Sequence, residues 1–308
     1  MTSFIRKTFR LGIPMLLASG TILAACSSNS SGSSGNSGNS GTSSGNSQKP
    51  AKSYSGPNDI ISEASPTLKN TMWILAGTAR AKTLVQMNLA SGSLSSPVPA
   101  SSDAVSIAET TQNILAVGTS TGTAGAVSLY QITSGKPVLI TTAAVSAPVV
   151  EVVPSADGSL FFVLTARPGV AAVQELSTAS GKLVGGSIGV SSDVISIVPT
   201  SDGNDLFTLE PNGLVSELPV SGAGAVAKFN VGADAKLLAL SQDSQTLYAL
   251  KCPPGSCNVS IVNVVGQQVE KVIPAPLDTV QIQISPDDSL VWDAVGNGLY
   301  GNVQAFSL

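Results

Sequence analysis

Two stretches that lie 90 residues apart are nearly identical: "SSDAVSI" at 101–107 and "SSDVISI" at 191–197. Each places an Asp directly before a short run of apolar and β-branched residues, a composition that favours a β-strand. The same arrangement occurs five times, and Pro148 stands at the midpoint of the longest gap. The Asp residues, separated by 44, 90, 41 and 44 positions, are Asp59, Asp103, Asp193, Asp234 and Asp278.

Two further markers repeat with the same period. Glycines within turn-like segments are separated by 43, 46, 41 and 44 positions, at Gly92, Gly135, Gly181, Gly222 and Gly266. The first apolar residue of a second strand recurs at intervals of 41–46, at Met72, Ile114, Leu160, Leu206, Leu247 and Leu290. Three markers that keep one period indicate an internal structural repeat.

Each unit contains four strand-like runs, and the segments between them carry the Gly, Asp and Ser residues of tight turns. Four strands in 41–46 residues are typical of a β-propeller blade. We therefore predict an all-β chain that forms a β-propeller of six four-stranded blades, or seven if 48–58 is a degenerate unit. The sixth unit ends at "GNVQAFSL" without a fourth strand, so we predict that part of 48–58, "AKSYSG", supplies it.

Several turns resemble those of the YVTN- and WD40-like propellers of bacteria. "VPSADGSLFFV" (153–163) and "ISPDDSLVW" (284–292) are similar to that family's Ser-Pro-Asp-Gly turn, and "ITSGKPV" (132–138) and "STASGKLV" (177–184) to its Thr-x-Gly-Lys turn. The resemblance covers about 59–308 and implies the architecture. It does not imply an activity, because one fold supports many functions.

The N-terminus has the features of an export signal. Arg6, Lys7 and Arg10 precede an apolar run at 11–25, which is shorter than a membrane-spanning helix and interrupted by Gly and Pro. Leu23-Ala24-Ala25-Cys26 resembles the lipobox of bacterial lipoproteins. The resemblance implies that residues 1–25 are a signal peptide and that Cys26 carries lipid, including palmitate. The alternative is an ordinary secretory signal with an incidental Cys.

Residues 27–47 consist of 11 Ser, 5 Gly, 4 Asn and one Thr. Such a segment cannot bury enough apolar surface to fold, so we predict that 26–47 is a lipidated, disordered tether and 48–308 the propeller domain. At about 5–6 Å × √n, 21 residues span roughly 25 Å. We expect the domain to lie outside the cytoplasm, on the outer face of the cytoplasmic membrane or, in a double-membrane cell, at the outer membrane.

Charge and composition exclude several classes of function. Residues 26–308 carry 12 basic and 19 acidic side chains, which disfavours nucleic acid as a partner. The chain has no His, which removes the commonest general base, the commonest metal ligand and every Ser-His-Asp arrangement.

The recurring Asp residues form the candidate site. In a propeller, the residue before each innermost strand and the loop between the second and third strands lie on one face, so the five Asp would ring one mouth of the central channel. Arg80, Arg167 and Lys251 fall in those loops and could pair with them. One interpretation is a site for Ca²⁺ or an amine-bearing ligand, since hard cations favour several oxygen ligands. The other is that Asp recurs to close a backbone turn.

Cys252 and Cys257 flank a Pro-Pro-Gly sequence. In an oxidising compartment this pattern favours a disulfide. Zinc binding and redox catalysis are the alternatives, but zinc lacks further ligands and redox sites favour Cys-x-x-Cys.

Three functions remain open. The first is a membrane-anchored module that binds a ligand or an envelope protein, the second is a metal-assisted propeller hydrolase or lyase (lactonase-like) that uses the Asp ring, and the third is a structural lipoprotein. No cofactor is expected apart from Ca²⁺ at the Asp ring, and no oligomeric state is predicted.

Overall fold

The structure, a computed structural model, describes residues 49–64, 70–222, 224–296 and 301–308. The predicted signal peptide (1–25), the lipidated Cys26 and the tether (26–47) lie outside the described residues. In the part described, the chain consists of strands, turns and irregular segments. It includes no helix with the length and hydropathy needed to cross a membrane.

Twenty-four strands form six antiparallel sheets of four strands each, one sheet per predicted unit. Blade 1 contains β2 (Ile60–Glu63), β3 (Thr71–Thr78), β4 (Ala81–Asn88) and β5 (Val98–Ala100). Blade 2 contains β6 (Ala104–Glu109), β7 (Ile114–Ser120), β8 (Gly125–Thr133) and β9 (Lys136–Val145). Blade 3 contains β10 (Val149–Pro154), β11 (Leu160–Arg167), β12 (Val170–Ser177) and β13 (Leu183–Val190).

Blade 4 contains β14 (Ser196–Pro199), β15 (Asp205–Leu209), β16 (Leu214–Pro219) and β17 (Ala227–Asn230). Blade 5 contains β18 (Ala235–Leu240), β19 (Thr246–Lys251), β20 (Cys257–Asn263) and β21 (Gln268–Ala275). Blade 6 contains β22 (Thr279–Ile284), β23 (Leu290–Gly296), β24 (Gly301–Ser307) and, from the start of the domain, β1 (Lys52–Gly56). The first strands of the blades contact one another in a closed ring around the channel.

The ring is closed by the N-terminal strand. β1 pairs with β24 in antiparallel register from Lys52↔Ala305 to Gly56↔Gly301, so it is the outermost strand of the last blade. This confirms the prediction that "AKSYSG" completes the sixth unit, and it leaves six blades rather than seven. Closure pairs the first and last parts of the domain, so both are held in one sheet.

The core is divided among the blade boundaries. Six clusters of buried apolar side chains each join neighbouring blades, because the strands present one face to the blade before and the other to the blade after. Each cluster contains one large aromatic side chain from a second strand. These buried residues are Trp73, Phe161, Phe162, Phe207, Tyr248 and Trp292. Burying one such side chain contributes about 2–3 kcal/mol, so the aromatics hold the blades together.

Candidate functional site

The channel has two different mouths. The residues before the innermost strands and the hairpins between second and third strands surround one of them, which we call the Asp mouth. The turns that follow the innermost strands surround the other, the turn mouth.

The Asp mouth contains the residues predicted from the repeat, and the main chain of four of the five Asp extends the pairing of the first two strands. The carbonyl of Asp59 accepts a hydrogen bond from Gly77 N–H at 2.9 Å, and that of Asp234 accepts one from Cys252 N–H at 3.1 Å. Asp103 and Asp278 make the same type of bond in their blades, and the carbonyl of Pro148 takes this position in blade 3. The main chain at this position therefore has a structural role that does not use the Asp side chain.

The conformations of three of these residues support the turn interpretation. Asp59, Asp234 and Asp278 have φ between 56° and 65°, in the left-handed region that Asp tolerates better than most residues. The side chains of Asp103 and Asp193 are exposed, as are those of Arg80 and Arg167, and Lys251 is half-buried. Among the described residues, no group of three or more His, Cys, Asp or Glu side chains is placed to hold a metal ion.

The predicted disulfide is present at the Asp mouth. Cys252 and Cys257 are bonded, with Cα atoms 4.1 Å apart. The bond spans the hairpin between β19 and β20, beside Lys251. It fixes the width of one loop of the Asp mouth and involves no further ligand.

A cavity of about 430 Å³ lies at the turn mouth. The innermost strands of blades 2 to 6 and the turns after them form its walls, and none of the predicted Asp, Arg or Lys residues lines it. Most of the wall is apolar, with partly exposed side chains such as Val153, Val198, Leu237 and Leu240. A concave apolar site with a few polar groups is the usual form of a small-molecule site.

Two carboxylates are the only titratable groups among the described residues of the cavity wall. Glu109, at the end of β6, is 5% exposed, and Glu151, in β10, is half-buried. The uncharged polar groups include the amides of Gln281 and Gln283, whose Nε2 atoms donate to the carbonyl of Glu63 at 2.9 and 3.3 Å. The cavity wall is therefore mainly apolar, and its only ionisable side chains among the described residues are acidic.

Glu151 belongs to a series of hydrogen bonds that runs around the channel, which we call the girdle. At each of five blade boundaries, one side chain of an innermost strand accepts the backbone N–H of the innermost strand of the next blade. This side chain stands three residues after the Asp, or after Pro148 in blade 3. The acceptor–donor pairs are Ser62–Ile107 (3.2 Å), Ser106–Val152 (3.0 Å), Glu151–Ile197 (2.7 Å), Ser196–Leu238 (3.1 Å) and Gln281–Glu63 (2.7 Å). Leu237 holds the sixth position.

The girdle gives a direct stability prediction. Ser106→Ala removes the acceptor for Val152 N–H, which then stays buried without its partner, so we expect a loss of about 1–2 kcal/mol. Urea unfolding measures this loss. Ser128→Ala is the matched control, because the Ser128 hydroxyl bonds only the exposed Thr142 hydroxyl and its removal should cost less than about 0.5 kcal/mol. Equal losses in the two variants would contradict a structural role for the girdle.

The environment of Glu151 alters its protonation. Its Oε2 accepts from Ile197 N–H at 2.7 Å, and its Oε1 accepts from the Ser196 hydroxyl at 3.3 Å. Burial raises the pKa of Glu151 to about 7, and these two hydrogen bonds oppose the rise. Glu151 therefore changes its charge near neutral pH, inside the cavity wall.

The rim of the turn mouth is built from one repeated motif. In four blades, a Ser or Thr hydroxyl after the innermost strand donates to the carboxylate two residues later, at 2.6–2.7 Å. These bonds lower the pKa values of the four exposed carboxylates, so they stay ionised in mildly acidic solution. The carboxylates are Asp157, Asp202, Asp243 and Asp287.

Neighbouring turns of the rim are also bonded to each other. Ser201 N–H donates to the Ser244 hydroxyl at 2.8 Å, and Gln242 N–H donates to the Asp288 carboxylate at 3.0 Å. These bonds join the rims of blades 4, 5 and 6. This half of the rim is therefore connected by hydrogen bonds from turn to turn.

Two more carboxylates are buried in the ring and do not line the cavity. Glu63 is fully buried, and neither of its carboxylate oxygens has a hydrogen-bond partner. Asp293 is 1% exposed, and its Oδ1 has none either. Burial raises the pKa of Asp293 to about 8; burial and then the charge of Asp293 raise the pKa of Glu63 well above its ordinary value. The Asp293 carboxyl is therefore mainly protonated in the folded protein at neutral pH.

No protein-family model matches the chain, and no curated protein matches it. Among solved structures, a chain in the crystal structure of the mitotic checkpoint complex is similar, with a TM-score of 0.60, 14% identity and coverage of 89% of this chain and 96% of that one. Hydrazine synthase of Kuenenia stuttgartiensis is similar with a TM-score of 0.57, 14% identity and coverage of 81% and 95%. These likenesses concern the fold alone. Together with the six four-stranded blades, they show that the chain contains a WD40-like β-propeller domain.

Proposed function

We propose that this protein is an extracytoplasmic binding module, tethered to a membrane through Cys26, that takes a small ligand into the cavity at the turn mouth. The cavity carries the proposal, because it has the volume and the mainly apolar wall of a ligand site. The connected rim and the girdle support a site that exists before its ligand arrives. A preformed site lowers the ordering cost of binding.

The tether is consistent with this role. The Ser/Gly/Asn segment ends just before β1, and β1 lies on the outer edge of blade 6, away from the channel. A lipid-anchored chain of roughly 25 Å would hold the domain near the membrane and leave the channel accessible. Two or three acyl chains supply stable anchoring, since each buried methylene contributes about 0.8 kcal/mol.

A hydrolase or lyase would be a different use of the fold. It would place its metal at the Asp mouth, where Asp59, Asp234 and Asp278 hold a left-handed backbone conformation. The binding proposal instead uses a cavity whose walls are formed by the innermost strands of blades 2 to 6 and the turns after them. We therefore prefer binding to metal-assisted catalysis.

Native mass spectrometry tests the ligand proposal. After incubation with a small-molecule extract of the producing cells, the wild-type protein should show a discrete mass increase. Ala156→Trp should abolish the increase, because Ala156 is an exposed residue at the cavity rim and an indole there blocks the mouth. Ser192→Trp, at the exposed Asp mouth, is the control and should keep it. A mass increase lost only in Ser192→Trp would place the ligand at the Asp mouth and contradict the proposed site.

Detergent phase separation tests the tether. The full chain should partition with the membrane detergent, and Cys26→Ala should move to the aqueous phase. Aqueous partitioning of both chains would contradict the lipid anchor and would leave the proposal of a ligand cavity unaffected.

A further inference from the structure

We propose that the cavity binds an organic ammonium ion with a compact apolar body, held by Glu109 and Glu151. This inference rests on the proposed function and adds the chemical class of the ligand. It goes beyond a general binding role because it assigns the charge, the contacting carboxylates and the shape of what binds.

The first argument is charge. Glu109 and Glu151 are the only ionisable groups among the described residues of the cavity wall, so no described wall residue is basic. An ionised carboxyl in a partly desolvated space loses hydration. A cation that meets it offsets this cost, and its attraction is stronger there than in water.

The second argument comes from the girdle. Three of its positions are Ser, and a Ser hydroxyl accepts the neighbouring backbone N–H at 3.0–3.2 Å. A Ser at 151 would suffice for that hydrogen bond. Glu151 makes the same bond and adds a carboxyl group to the cavity wall, which is unfavourable for an empty cavity. The extra carboxyl is explained if a ligand cation meets it.

The third argument is the shape and polarity of the remaining wall. Val153, Val198, Leu237 and Leu240 are partly exposed in the wall of a volume of about 430 Å³, which suits an aryl or branched alkyl group. The ammonium group would face the two carboxylates, and the hydrocarbon would replace water against the apolar wall. A hydrophilic polyamine would leave that wall uncovered.

The rim of the turn mouth also favours a cationic ligand. Its four exposed carboxylates stay ionised because Ser and Thr hydroxyls donate to them. A ring of negative charge around an opening attracts cations and raises their association rate, an effect that salt weakens.

Isothermal titration with 2-phenylethylammonium tests the proposal at pH 8, with 2-phenylethanol as the neutral analogue. We expect the ammonium ion to bind at least tenfold more tightly than the alcohol. Glu151→Gln keeps an acceptor for Ile197 N–H, so the girdle should survive, and we expect it to weaken ammonium binding at least tenfold. Glu109→Gln is a second, independent variant with the same expectation. Asp193→Asn, at the Asp mouth, should bind like wild type.

The pH dependence supplies a readout that a purely structural role would not affect. Since the pKa of Glu151 is about 7, lowering the pH from 8 to 6 should weaken ammonium binding by roughly tenfold. This dependence should shrink in Glu151→Gln. Glu109 is the only other titratable side chain in the described wall. The pH dependence of binding to Glu109→Gln therefore shows whether Glu109 contributes to it.

Equal affinities for the ammonium ion and the alcohol would overturn the proposal, as would unchanged binding in both Gln variants whose circular dichroism matches wild type. If the ammonium ion fails to bind but the extract still gives a mass increase that Ala156→Trp removes, the ligand class is wrong and the proposed function stands. If both experiments fail, the cavity is not a ligand site.

Discussion

Replacing Asp293 with Asn should stabilise the protein increasingly as the pH rises, by about 4 kcal/mol more at pH 8 than at pH 5. Asp293 lies in the middle of β23, 1% exposed, and its Oδ1 has no hydrogen-bond partner. Burial raises the pKa of this carboxyl from 3.8 to about 8. An Asn has nearly the same shape and no proton to lose.

The sign follows from where the proton is bound. Between pH 4 and pH 8 the unfolded chain has released the Asp293 proton, whereas the folded protein still holds it. The folded state therefore binds more protons, and wild-type stability falls as the pH rises through this range and levels off above about 8. Glu63 acts in the same direction, so the Asp293→Asn protein keeps a shallower slope.

Urea unfolding at pH 5, 6.5 and 8 measures the effect. Asp193→Asn is the control, because Asp193 is exposed and its substitution should leave the pH slope of the wild type. A constant difference between Asp293→Asn and wild type at all three pH values would show that the carboxyl is ionised in the fold.

Tyr54→Ala should destabilise the ring by about 3 kcal/mol, because Tyr54 joins the last blade to the first. Its ring stacks on Trp292 with centroids 6.4 Å apart, and its hydroxyl donates to the carbonyl of Leu89 in blade 1 at 2.8 Å. Lys52 Nζ lies 5.6 Å from the Trp292 ring centroid and also reaches Leu89. Gly92, at φ 74°, leaves room for the Tyr54 ring, which a Cβ there would overlap.

Thermal and urea unfolding measure this loss, with the exposed Ser53→Ala as the control on the same strand. A chain that begins at residue 58 lacks β1 entirely and should lose more than Tyr54→Ala, whereas a chain that begins at residue 49 should match the full domain. Addition of a peptide of residues 49–57 should restore part of the loss. Equal stability of the chains that begin at 49 and 58 would contradict closure by β1.

The repeat predicted the fold well because its markers are local. Met72, Ile114 and Leu160 fall within one residue of the first position of second strands β3, β7 and β11. The period also located the turn glycines that have a left-handed backbone. The last turn is the exception, because Gln267 has positive φ there and Gly266 does not. Closure by 51–56 was predictable because the sixth unit has three strand-like runs and 51–56 has the pattern of a fourth.

The cavity could not be placed from the repeat. The repeat marks the Asp residues. An Asp that recurs for its backbone conformation gives the same sequence pattern as an Asp that recurs because it binds an ion. Glu109 and Glu151 each occur in one blade, so no periodicity marks them. One sequence feature did point to Glu151: it stands in the middle of "VVEVV" (149–153), at a position where three other blades have Ser. Its meaning depends on the girdle, whose bonds join residues 42 to 46 positions apart, or 218 apart where the last blade meets the first.

The location of the binding site is the central claim, and methyl NMR spectra of leucine- and valine-labelled protein test it most directly. A library of small amines and neutral fragments is titrated while the methyl signals are followed. We predict that binding fragments shift Val153, Val198, Leu237 and Leu240, which are partly exposed in the cavity wall, and that amines dominate among the fragments that bind. Shifts confined to Val105 and Leu277, close to Asp103 and Asp278 in the sequence, would place the site at the Asp mouth and contradict this claim.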